Sequence, residues 1–134
     1  MKDEEFLEQF ENCTLAKEEF KHRNHLRLAW IYLAKFPLEQ ARLKITQGIV
    51  RYATSLGAAQ IYNETLTFFW IYQVYQAMDG KTLSFDAFIA EHSYLLDKNL
   101  PSQYYSAERL ESESARKQWL EPDLKPLEVT PFSR

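Results

Sequence analysis

The chain has 134 residues, 46% hydrophobic and 26% charged, the balance of one globular domain and not of a disordered chain. Its formal net charge of -3, with no basic tract, argues against nucleic acid or an anionic membrane surface as the main partner. One cysteine, Cys13, excludes an internal disulfide and points to a reducing, cytoplasmic setting, and the opening Met-Lys-Asp-Glu-Glu lacks the features of a secretory signal.

Only three glycines occur, long periodic segments lie between them, and no run alternates with period two, so the expected fold is all-α. We expect a compact bundle of about five main helices, then short C-terminal helices and an extended tail, as a single domain. The first helix is the acidic stretch Asp3 to Glu11, with Phe6, Leu7 and Phe10 at helical spacing. The second should run from about Lys17 to Phe36, capped by Thr14, with Leu26, Ala29, Trp30 and Leu33 as its apolar stripe. Pro37 stops it and opens the third, which reaches about Leu56 and buries Ala41, Ile45, Ile49, Tyr52 and Leu56. Gly57 is its expected left-handed cap.

The fourth helix, from Tyr62 or Asn63 to Ala77 or Met78, is apolar nearly all round through Phe68 to Tyr75 and should be central. This longest apolar stretch is interrupted by Gln73 and Gln76 and is too short to span a bilayer. Ser84 caps a fifth helix from Phe85 to about Leu96, and Ser106 and Ser112 cap short helices ending near Trp119. The tail from Glu121 carries Pro122, Pro126 and Pro131 and is expected to wrap the surface or fray. Leu28, Ala29, Tyr32, Ala41 and Ile45 echo a tetratricopeptide helix pair, but the spacing does not repeat: Tyr75 falls where a small alanine is required.

The residues that could carry chemistry are few. His22 and His25 are three apart, on one helix face, and each continues the inward stripe. Asn63 aligns with Thr67, Trp70 and Val74 along the fourth helix. Short connections make neighbouring helices antiparallel, so helices two and four point the same way and begin at the same end of the bundle. His22, His25, Asn63 and Glu64 should therefore gather there, with Trp30, Tyr62 and Trp70 as aromatic lining. His92 lies on the helix that returns toward that end. Two imidazoles and a carboxylate suit a divalent transition metal such as Zn, Fe, Mn or Ni, with His22, His25 and Glu64 as candidate ligands. The same set, with Asn63, Thr67 and His92, could instead hold a small organic ligand or move protons in an enzyme. Against both stands ordinary structural use: Asn63 as a helix cap, Glu64 favoured by a helix dipole, the histidines bonded within the core. The alternative reading is a non-enzymatic helical interaction or regulatory module, with a protein partner or a second copy. No phosphate loop, dinucleotide fingerprint or serine triad is present, Cys13 has no evident activating context, and Arg23, Arg27 and Arg51 read as solvated charges unless they reach the pocket rim.

Phe20-Lys21-His22-Arg23-Asn24-His25-Leu26-Arg27-Leu28-Ala29-Trp30, Gly48-Ile49, Tyr62-Asn63-Glu64-Thr65-Leu66-Thr67, Tyr105-Ser106, Leu110, Ser112, Ala115-Arg116, Trp119, Pro122-Asp123 and Pro126-Leu127 recur as a set. Together they resemble an uncharacterised family of small bacterial all-helical proteins with F-x-H-x-x-H-L-R-x-A-W, Y-H-E-T-x-T and A-R…W…P-D-x-x-P-L motifs. The resemblance covers nearly the whole chain and implies no particular activity. It does imply a histidine where this chain has Asn63, so a third imidazole beside His22, His25 and Glu64 is absent here. Asparagine is a poor ligand for transition metals, which weakens a metal or acid-base role.

Overall fold

The computed structural model describes residues 1–80 and 84–127. Among them the fold is all-α, with no strand. Helix α1 spans Asp3–Glu11, α2 His22–Lys35, α3 Leu38–Ser55, α4 Glu64–Ala77 and α5 Phe85–Glu91. Two short helices follow, α6 Ala107–Leu110 and α7 Glu113–Lys117. None is long and apolar enough to cross a membrane, among the described residues.

Helix α1 begins with Asp3, Glu4 and Glu5, which suit the positive end of its dipole. It ends in a Schellman turn: Thr14 N–H donates to the Gln9 carbonyl, Cys13 N–H to that of Phe10, and Cys13 takes φ 60°. Thr14 thus closes α1, its hydroxyl also directed to the Gln9 carbonyl at 3.4 Å, and does not cap the second helix as expected. Phe6 and Phe10 are the buried side of α1. The edge of the Phe10 ring approaches Gly48 of α3, 2.7 Å from where a β-carbon would sit, so a side chain there would force the buried ring to move.

The second helix starts five residues later than its composition suggests. Lys17–Glu19 form a separate 3-10 turn, and Phe20 breaks the chain at φ -94°, ψ 64°. The break turns the Phe20 ring inward, against Phe10, Tyr52 and His25 at centroid distances of 5.6, 4.7 and 4.1 Å. Asn24 Nδ2 satisfies the Glu19 carbonyl left behind, at 2.5 Å. Helices α2 and α3 then pack as a hairpin through Leu28, Ala29, Tyr32, Ala41 and Ile45, all buried. The repeat-like spacing is therefore the spacing of one hairpin seam. Pro37 precedes α3 as its N-cap, and Gly57, at φ 72°, closes it in a second Schellman turn. Leu56 departs from the expected buried line and is exposed.

Helix α4 is central, as its all-round apolarity predicts. It packs on α2 and α3 with one side and on α7 with another. Helix α5 ends early: Ser84 caps it as expected, but His92, at φ -127°, ψ 48°, bends the chain into a 3-10 turn, Ser93–Leu96. Ser106 and Ser112 cap α6 and α7. Residues 121–127 do not fray: Asp123 accepts from Ser106, and Leu124 N–H donates to the Tyr104 carbonyl. The rest of the expected tail, 128–134, lies outside the described residues.

Candidate functional site

A hollow of about 430 Å³ opens between α2, α3 and α4. His25 from the first turn of α2, Asn63 at the start of α4, and Ala53 and Leu56 at the end of α3 share its wall. That combination is what antiparallel neighbours produce: two helix starts and one helix end at the same end of the bundle. Its floor is apolar, with Ala29, Ile45, Tyr52, Trp70 and Ile71. Its rim carries Leu56 and Ile61, 47% and 73% exposed. The 3-10 turn bearing Ile61, Ala59–Ile61, is pinned by a bond from the Arg116 guanidinium to the Gln60 carbonyl.

Most of the polar groups on this wall are already occupied. Asn63 Oδ1 accepts from Leu66 N–H at 2.9 Å, and Nδ2 donates to the Leu110 carbonyl at 2.8 Å. It is a helix cap and a tie to α6, and both ends of its amide are used. Thr67 Oγ1 donates to the Asn63 carbonyl at 2.8 Å. The Tyr62 hydroxyl donates to Glu64 Oε1 at 2.5 Å. Burial and that carboxylate push the Tyr62 phenol far above its ordinary range, so it stays protonated. The Tyr52 hydroxyl donates to the Leu15 carbonyl.

His25 is different. It is exposed as a residue, yet its ring packs edge-on against Phe20 at 4.1 Å and lines the hollow. Desolvation, with a smaller repulsion from His22, lowers its pKa to about 4, against the opposing effect of the Phe20 backbone. The ring is therefore neutral near pH 7, with its N–H engaged by the Phe20 backbone and an acceptor lone pair on the other nitrogen.

The expected residues separate into three groups. His25, Asn63 and Thr67 line the hollow. His22 stands beside it: Nε2 donates to the Leu95 carbonyl at 2.8 Å, and its ring meets Trp70 edge-on at 4.5 Å. Desolvation also lowers its pKa. Glu64 is held by Tyr62 and is not on the wall, and His92 packs on Phe88 and Tyr94 instead. Among the described residues no three His, Cys, Asp or Glu side chains converge in a way that could hold a metal ion, so the set His22, His25 and Glu64 is not assembled. The expected aromatic lining includes Tyr62 and Trp70, but Trp30 is buried elsewhere, against Phe85 and Phe88.

Sequence reasoning missed Lys17, which lines the hollow from the 3-10 turn before α2. Placed on a continuous helix, it had no reason to be singled out. Arg23 and Arg27 are not on the wall: they pair with Asp86 and Asp3 at 2.7 and 2.8 Å. Cys13 is half-buried, its thiol 3.8 Å from the Arg51 carbonyl. A scan against protein-family models finds no match, and neither the curated proteins nor the solved structures yield one.

Proposed function

We propose that this chain binds a small, largely apolar organic molecule in the hollow between α2, α3 and α4. The observation that carries this reading is an apolar concavity on whose wall the neutral His25 ring faces the open space. Small-molecule sites have this composition, with apolar walls and a few polar groups that fix orientation, and about 430 Å³ lies at the small end of their ~300–1,000 Å³ range. With its N–H engaged by the Phe20 backbone, His25 offers its remaining ring nitrogen as an acceptor. Trp70 and Tyr62 supply flat surfaces.

The test is titration of the full chain with small neutral probes, indole and octan-1-ol, followed by amide and indole NMR. Shifts should cluster on His25, Ile49, Leu66 and Trp70. They should vanish in Ala53→Phe, which fills the hollow, provided its melting shows a folded protein. Saturable shifts elsewhere, or none at all, would remove the basis of the reading.

A further inference from the structure

The charge pattern of the wall selects a ligand class within the binding reading above, on which this inference rests. Among the described residues that line the hollow, Lys17 is the one with a permanent charge, and no carboxylate is among them. Lys17 has no ion-pair partner among the described residues, whereas Arg23, Arg27, Arg42 and Lys117 each have one. Its neighbours Glu18 and Glu19 are exposed and off the wall, and Glu64, the nearest carboxylate along α4, is engaged by the Tyr62 hydroxyl. The hydroxyl and amide donors of Tyr52, Tyr62, Asn63 and Thr67 go to protein acceptors, and the His25 ring is hydrogen-bonded to the Phe20 backbone. The charged group left for a ligand is the Lys17 ammonium, on the same wall as the His25 and Trp70 rings and over an apolar floor.

We propose that the ligand is an amphipathic monocarboxylate, an aromatic or medium-chain acid whose apolar body fills the hollow and whose carboxylate pairs with Lys17. A neutral ligand of the same shape would leave Lys17 unused. A dianion would place a second charge against Ile45, Ile49 and Trp70, where nothing pairs with it. The exposed Ile61 and Leu56 form an apolar collar around the mouth, suited to an occupant that is mostly hydrocarbon.

The experiment compares shape-matched pairs on the full chain by calorimetry and NMR: 4-phenylbutyrate against 4-phenylbutan-1-ol, and octanoate against octan-1-ol. Because Lys17 is exposed, its pairing is screened, and the acid should bind about three- to tenfold tighter than the alcohol. Lys17→Met should erase that margin and Lys17→Glu should reverse it, each judged as the ratio of acid to alcohol binding in the same variant. A bound carboxylate should also raise the pH at which the His25 imidazole titrates, and a bound alcohol should not. Equal binding of acid and alcohol, indifferent to Lys17, would overturn the acid class and leave the pocket standing. Failure of both to bind would overturn the pocket reading and this inference with it.

Discussion

The two sides of α4 are built from similar residues and finished differently. On one side Thr65 and Phe69 meet the C-terminal segment, and the seam is closed. Thr65 Oγ1 donates to the Gln118 carbonyl and accepts from Leu120 N–H, and the Tyr105 hydroxyl donates to the Leu120 carbonyl. Phe69, Leu100 and Tyr105 form a separate buried cluster there. On the other side Thr67, Trp70 and Ile71 border a hollow with an exposed apolar rim. Among the described residues, a short, proline-containing segment seals one side of the helix, and the other borders open space. The proposed binding rests on this open side.

The largest expected effect falls on the closed side. Phe69 has no exposed surface and meets the rings of Trp70, Tyr104 and Tyr105. Phe69→Ala should cost about 3–5 kcal/mol in urea unfolding. Ile49→Ala on the open side should cost less than about 1.5 kcal/mol, because its half-buried side chain already borders space. Similar costs for the two would mean that the hollow is closed in solution.

The threonines give a sharper version of the same contrast. Thr65→Val leaves Leu120 N–H and the Gln118 carbonyl without their partner, at a cost of about 1–3 kcal/mol. Thr67→Val removes a hydroxyl that supplements the Asn63 carbonyl, itself already accepting from Thr67 N–H, and that also meets the Tyr62 hydroxyl, which keeps its bond to Glu64. That change should cost within about 0.5 kcal/mol. Both are read from denaturation midpoints at constant slope.

What the sequence revealed divides along a related line. The helices, the central place of α4, and the caps at Gly57, Ser84, Ser106 and Ser112 follow from local pattern, because each is decided within a few residues. The meeting of His25 with Asn63 and Thr67 also followed, from helix direction alone. The misread parts depend on distant contacts. Nothing near Phe20 breaks a helix, and the chain turns there because Phe10 and Tyr52 accept the ring. Nothing near His92 ends α5, yet the 3-10 turn that follows presents the Leu95 carbonyl to His22. Those two breaks put Lys17 on the wall and leave His92 off it. The spacing of His22, His25 and Glu64 likewise could not show that Leu95 and Tyr62 occupy two of the three.

Acid should act mainly on the open side. In the unfolded chain His25 titrates near ~6.5, and in the folded one near about 4, so the unfolded state binds the extra proton between those values. Stability from keeping the ring neutral is complete above pH ~6.5 and is lost as pH falls toward 4, and the lowered pKa of His22 adds in the same direction. Denaturation at pH 7.5 and pH 5 should show the drop, and His25→Gln should flatten it. A slope unchanged by that substitution would place the imidazole in free solvent and remove its distinction from a surface histidine.

The smallest effect on stability should come from the rim, and it separates a ligand site from a packing flaw. Ile61 is 73% exposed, so Ile61→Ser should change unfolding free energy by no more than about 0.5 kcal/mol. It nonetheless removes apolar surface from the mouth of the hollow. If the collar covers a bound hydrocarbon, octan-1-ol binding should weaken while the melting temperature stays put. If binding is equally unaffected, Ile61 contributes nothing to ligand capture, and the ligand-contacting surface shrinks to the floor formed by Ile45, Ile49 and Trp70.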